Sequence, residues 1–196
     1  MEALTEIQTA LGLAEPPSRI ECYDISNIQG TSATGSMVVF VQGAPSKQDY
    51  RHFRIKTVEG ANDYASMAEV LKRRFRRASE PDAARSIDGK ENRWAIMPDL
   101  VIIDGGKGQL SAALEAMQEA GVAHIATVGL AKQHEEIFKP GRAAPIILAP
   151  GSQGLYLVQR IRDEAHRFAI SYHRKLRDSQ TTRSLLDEIP GIGPRR

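Results

Sequence analysis

The sequence predicts an α/β domain in which helices pack on a mixed sheet, and three observations predict it. The first is the stretch Pro98-Asp99-Leu100-Val101-Ile102-Ile103-Asp104-Gly105-Gly106-Lys107-Gly108-Gln109-Leu110. Its four successive apolar residues, three of them β-branched, suit a strand covered on both faces, and the glycine turn after Asp104 leads at once into a helix. The second is that another apolar strand, residues 125–130, follows that helix. The third is that the chain before it reads as strands joined by short turns, an antiparallel meander.

Each element has its own signal. In residues 1–18, Leu4, Ile7, Leu11 and Leu13 form an amphipathic fragment closed by Gly12 and Pro16-Pro17, read as a short helix and a linker. Residues 19–25 make the first strand, with Ile20, Cys22 and Tyr23 before Asp24. Residues 37–41 and 50–55 make the next two, and Gly43-Ala44-Pro45 suits a hairpin connection. Asn62-Asp63-Tyr64 opens a helix whose apolar residues Tyr64, Met67, Ala68, Leu71 and Phe75 keep helical spacing. It ends in Lys72-Arg73-Arg74-Phe75-Arg76-Arg77. Residues 78–97 lose periodicity and gain charge, which predicts a flexible surface insertion. After the helix over 109–120 and the strand over 125–130, Ile137-Phe138 and residues 146–148 suit a small hairpin about Pro140-Gly141. The last long helix starts after Pro150-Gly151-Ser152 and buries Leu155, Val158, Ile161, Ala165, Phe168 and Ala169. Residues 179–182 read as a linker, and residues 185–196 as the start of something further.

A chain of 196 residues with 41% hydrophobic content can bury one good core. No apolar run approaches membrane-spanning length and no leader opens the chain, so a soluble, cytoplasmic protein without membrane contact is expected. The single cysteine, Cys22, has no partner for an internal disulfide and reads as a small core residue. Net charge is only +2, so partners must be read from where the charges lie.

Open α/β sheets place their chemistry at the carboxyl edge of the strands, and Asp24 and Asp104 both stand at or near such ends. Asp104 is either an acid of that kind or a cap for the helix after it. Asp63 likewise is either an N-cap or a functional acid. The Gly-Gly-Lys-Gly turn excludes a Walker A loop, which needs Ser or Thr where Gly108 stands. His166 lies on an arginine-rich helix, where a solvated histidine is the plainer account. Arg73, Arg74 and Arg76 on one helix, and Arg162, Arg167, Arg174 and Lys175 on the other, form dense basic runs suited to phosphate contacts or to a solvated face. Lys107 beside Asp104, and Lys132 and Glu135 after the next strand, are further candidates; a surface ion pair is the duller account of the last two.

Taken together, Cys22-Tyr23-Asp24-Ile25-Ser26, Asp63-Tyr64-Ala65-Ser66-Met67, the stretch from Pro98 to Leu110, and Arg162-Asp163-Glu164-Ala165-His166-Arg167-Phe168-Ala169-Ile170 resemble the C-terminal nuclease half of UvrC, the incision component of the excinuclease of bacterial nucleotide excision repair. Ile189-Pro190-Gly191-Ile192-Gly193 resembles the start of that family's helix-hairpin-helix module. The resemblance implies a ribonuclease H-like fold with a mixed five-stranded sheet, three antiparallel strands followed by parallel ones. It implies catalytic roles for Asp24, Asp63, Asp104 and His166, with the three aspartates holding Mg²⁺ or Mn²⁺. Three aspartates and no cysteine cluster favour such a hard cation over zinc. His166 becomes a metal ligand or a proton-transfer group. The implied partners are damaged double-stranded DNA and UvrB, with UvrA upstream, and the implied reaction is the incision on the 5′ side of the lesion. Asn27 stands where many relatives carry histidine. The alternative, a noncatalytic nucleic-acid-binding domain of the same fold, predicts a missing carboxylate, and none is missing.

Overall fold

The computed structural model describes residues 1–27, 33–58, 60–79, 93–131 and 135–187. Its centre is strand β1 (Arg19–Ser26). On one side β1 pairs antiparallel with β2 (Thr34–Val41), and β2 in turn pairs with β3 (Ala44–Pro45) and β4 (Arg51–Arg54). On the other side β1 pairs parallel with β5 (Leu100–Asp104), β5 pairs parallel with β6 (Ala126–Ala131), and β6 pairs antiparallel with β7 (Glu136–Phe138). The expected order, an antiparallel meander followed by parallel strands, is the one found.

Among the described residues the sheet has seven strands rather than five. The additions are edge pieces too short to show a period of two. β3 exists because Gln42 and Gly43 both take left-handed backbone, at φ 51° and 78°, which turns the chain back in a two-residue hairpin loop and sets Val41 opposite Ala44. β7 is the first arm of the small hairpin expected about Pro140-Gly141, and Ile137 bridges to Ile146 in its second arm.

Among the described residues four α-helices cover the sheet. α2 (Asp63–Ser79) packs with α3 (Lys107–Glu119) on one face, and α1 (Glu2–Leu11) packs with α4 (Gln153–Asp187) on the other. Alternation along β1 sorts its side chains between them. Glu21 and Tyr23 point toward α2, while Cys22 and Asp24 point toward α4. α4 lies on the sheet through Leu157, Val158, Ile161, Ala165 and Ala169, all buried at one-turn spacing.

Two expectations change here. The short helix expected in residues 1–18 is present as α1, but it belongs to the domain rather than preceding it, because Leu4, Ile7 and Leu11 are buried in the core. Covering such side chains contributes about 1.5–3 kcal/mol each, enough to hold a ten-residue helix in place. The helix end is fixed as well, by Lys139 Nζ donating to the Leu11 carbonyl at 2.6 Å. At the other terminus, residues 179–182 are no linker, since α4 continues through them to Asp187. Most of the expected insertion, and the stretch from Ile189 to Gly193, lie outside the described residues. The apolar gap left between α1, the sheet and α4 measures about 10 Å³, too small for a ligand. Among the described residues no helix is long and apolar enough to cross a membrane.

Candidate active site

β1 and β5 run parallel with Tyr23 opposite Ile103, so Asp24 and Asp104 stand side by side one step further on. They share a face, since Cys22 and Asp24, like Ile102 and Asp104, are two residues apart. Both are nearly closed off from solvent, at 6% and 4% exposure. Their joint field is felt beneath them at Cys22. Burial first, then the charges of Asp104 and Asp24, push its thiol well above the ordinary value, while Arg162 pulls the other way. Cys22 is therefore a buried core residue, as expected, and not a nucleophile. Asp104 does not cap α3: the N-cap is Gly106, and no side chain bonds into that helix end. The capping account of Asp104 is thereby removed.

Asp63 is not a cap either. Asn62 Oδ1 accepts the Ala65 amide at 3.1 Å, which is the N-cap bond of α2. Asp63 occupies the first turn instead, and its Oδ1 accepts from Asn27 Nδ2 at 2.7 Å. Asn27, which follows β1, thus holds Asp63 toward the strand end. Beside it, Tyr64 is 55% exposed, and its ring lies over α3 so closely that a Cβ on Gly108 would come within 2.5 Å of its hydroxyl. The glycine that rules out a nucleotide loop is the one that admits this ring. Asn62, Asp63, Tyr64, Gly106, Gly108 and Gln109 line an open cleft of about 500 Å³.

His166 comes in from α4. Its Nδ1 lies 3.9 Å from Asp24 Oδ2, and its ring is 58% exposed at the mouth of the site. A second groove of about 500 Å³ runs along the helix past His166, Arg167, Ile170 and Arg174. One turn before His166, Arg162 pairs with Glu135 at 2.7 Å. The structure therefore gathers Asp24, Asp104 and His166, and sets Asp63 on the neighbouring rim.

The basic residues divide. Arg74 is corrected: it is fully buried, its guanidinium spent on Glu21 and on the carbonyls of Trp94 and Ile96, so it offers nothing to DNA. Arg73 is turned inward to Glu69 and the Arg54 carbonyl, and Arg167 bonds Glu164. Lys107 is exposed, with Nζ on the Ala143 carbonyl at 3.0 Å. Arg76, Arg174 and Lys175 are exposed. Lys132 lies outside the described residues.

Among the described residues no three Asp, Glu, His or Cys side chains stand close enough to cage an ion by themselves. The donor set nonetheless fits a hard cation. Magnesium is commonly held by one or two carboxylates and takes its remaining oxygens from water and substrate phosphates. Two adjacent buried carboxylates at an open edge supply that partial shell.

A mixed sheet with paired acids at its carboxyl edge and a histidine leaning in from the terminal helix defines the ribonuclease H-like class of α/β domains. The chain belongs to the UvrC RNase H endonuclease domain family, whose model matches residues 8–170. It is 54% identical over 195 residues to the UvrABC system protein C of Dehalococcoides mccartyi, covering 100% of this chain and 31% of that protein. Against the protein of the same name from Gloeobacter violaceus it is 54% identical over 198 residues, covering 98% of this chain and 30% of that one. The chain thus spans about a third of the length of these relatives. Among solved structures, Ciona intestinalis endonuclease V with a 23mer DNA aligns at a TM-score of 0.48 and 12% identity, covering 82% of this chain and 87% of that one.

Proposed function

We infer that this chain is a divalent-metal-dependent DNA endonuclease domain that makes the 5′-side incision in nucleotide excision repair. The observation that carries the reading is the pair of buried acids, Asp24 and Asp104, side by side at the carboxyl edge with His166 beside them. Burying like charges together lowers stability unless a cation joins them. Asp24 and Asp104 would hold Mg²⁺ or Mn²⁺, with Asp63 contributing from the rim. When bound, the ion neutralises charge on the phosphate oxygens and makes water a stronger nucleophile.

The chain's own residues do the rest. Asn27 keeps the Asp63 carboxylate turned toward the strand end. His166 presents Nδ1 to Asp24, which leaves Nε2 turned away from the acid, free to exchange a proton with the attacking water or the departing 3′ oxygen. The exposed cations, Lys107 and Arg76 near helix ends, Arg174 in the second groove and Lys175 next to it in sequence, attract the DNA backbone without reading bases. Arg162, Arg73 and Arg167 serve first as intramolecular partners. The relatives' name, UvrABC system protein C, supports assembly with UvrB, after UvrA; damaged duplex DNA as substrate and the cytoplasm as the place of action belong to the same proposal.

The test is incision of a lesion-bearing duplex by the chain in its repair complex, with Mg²⁺ or Mn²⁺. Asp24→Asn and Asp104→Asn are expected to lower the rate by about a hundredfold or more while leaving DNA affinity in place. Incision at the parent rate by both variants would overturn the reading in favour of a noncatalytic binding domain.

A further inference from the structure

Arg162 leaves α4 one turn before His166 and reaches toward the far side of the sheet edge. Its partner, Glu135, stands just outside the ladder that pairs Ala131 with Glu136. β5 with Asp104 lies between β1 and β6, so the Arg162–Glu135 contact ties α4 to the residue that leads into β7, beyond β5 and β6. Both side chains are mostly enclosed, at 19% and 18% exposure, and burial works against the charge on Arg162, while the bond and charge of Glu135, with those of Asp163 at 3.4 Å, together outweigh it. The positive charge of Arg162 is felt at Cys22 against those of Asp104 and Asp24, so the guanidinium acts within the field of the two acids.

Two details set this pair apart from an ordinary surface salt bridge. Glu135 has a φ of 53°, a left-handed backbone that glycine adopts freely and glutamate adopts at a cost. Its second oxygen, Oε2, is enclosed with no hydrogen-bond partner among the described residues, an arrangement that disfavours folding. Stability alone would favour glycine at this position. Glutamate is there for what it holds.

We propose that the Arg162–Glu135 pair is a brace for the acid–histidine site: it sets where α4 stands over the sheet edge, and so how His166 meets Asp24, and it keeps a fixed cation near the two acids. Arg162 and Glu135 are positioning residues, since neither is placed on the reacting atoms. The purpose of the brace rests on the nuclease reading above; its effect on His166 does not.

Four variants of this chain test it: Glu135→Gly, Glu135→Gln, Arg162→Ala and Arg162→Lys. The first readout is the His166 ring resonances in the metal-free chain, assigned with His166→Gln. The second is Mn²⁺ affinity by calorimetry. Glu135→Gly relieves the backbone, so its melting temperature is expected to stay level or rise, yet the His166 resonances move and Mn²⁺ affinity falls about tenfold. Glu135→Gln moves both readouts the same way; Arg162→Ala moves the His166 resonances, while removing its charge beside the acids works against any fall in Mn²⁺ affinity, and Arg162→Lys restores part of the resonance shift. Unmoved His166 resonances in Glu135→Gly and Arg162→Ala, with Mn²⁺ affinity of Glu135→Gly within about twofold of the parent, would overturn the proposal. A parent chain whose Mn²⁺ binding is indifferent to Asp24→Asn would instead sink the metal reading, and the His166 resonances would still decide the brace.

Discussion

Strand β1 carries two buried carboxylates, Glu21 and Asp24, and their surroundings are opposite in kind. Glu21 faces α2, where Arg74 donates to it at 2.9 and 3.2 Å, Arg19 at 3.1 and 3.2 Å, and the Tyr23 hydroxyl at 2.6 Å. Arg19 continues to Asp49, which also receives Ser46 and Arg93. Arg74 closes the group by donating to Trp94 and Ile96, so the whole array stitches β1 to α2 and to the chain leading into β5. Asp24 faces α4, and its neighbour on β5 is another acid. The lesson is that burial of charge is not by itself a sign of function. On the Glu21 side opposite charges and hydrogen bonds offset the desolvation. On the Asp24 side two acids stand next to each other on neighbouring strands, with His166 at 3.9 Å and an edge that opens to solvent.

The largest effect should come from breaking the saturated side. Arg74→Met takes from Glu21 its fully buried cation, leaving only Arg19 and the Tyr23 hydroxyl, and removes the donor to the Trp94 and Ile96 carbonyls; it is expected to lower unfolding free energy by about 3–5 kcal/mol in urea titration. The double variant Glu21→Gln with Arg74→Met should recover part of that loss. A loss below about 1 kcal/mol would erase the distinction between the two sides. A smaller effect is expected on lowering pH. Burial opposes ionisation of Asp49, but bonds from Ser46, Arg93 and Arg19 outweigh it and hold the carboxyl below its ordinary 3.8. Glu164, through Arg167, and Glu69, through Thr57 and Lys56 against its burial, are held below 4.5. A carboxyl lowered by folding stabilises fully above its unfolded value and loses that contribution as pH falls toward its folded one. Stability should therefore be level down to about pH 5 and decline through 4.5 and 3.8, as followed by thermal melting at stepped pH. The smallest effect has the opposite sign. Asp104→Asn should raise the stability of the metal-free chain by up to about 1 kcal/mol while removing Mn²⁺ binding. A clear destabilisation would mean that Asp104 serves the fold first.

Much of this is legible in the residues. The run from Leu100 to Asp104 and its glycine turn declare both a central strand and the edge where an acid would matter. The bonds that decide between cap and acid are not legible: nothing local tells that Asn62 rather than Asp63 caps α2, or that Gly106 leaves α3 without a side-chain cap. Arg74 is easily mistaken for a surface cation because it sits in a basic run, yet a signal is present. Position 74 continues the buried stripe of Met67, Val70 and Leu71, and Glu21 is an acid inside an otherwise apolar strand. His166 gains its role only through resemblance, since proximity to Asp24 depends on how α4 crosses the sheet. The docking of α1 is hidden for the same reason: a stripe of Leu4, Ile7 and Leu11 says that a face will be buried, not against what. Ser179, Thr181 and Thr182 suggest a break, and tertiary context carries the helix through them.

That unbroken helix sets a length scale. At the α-helical rise per residue, the stretch of α4 from His166 to Asp187 extends about 30 Å. One turn of duplex DNA advances a similar distance. Over such a span the backbone hydrogen bonds of one helix carry Asp187 that far from His166, so whatever Asp187 meets is set apart from the acids by a fixed length.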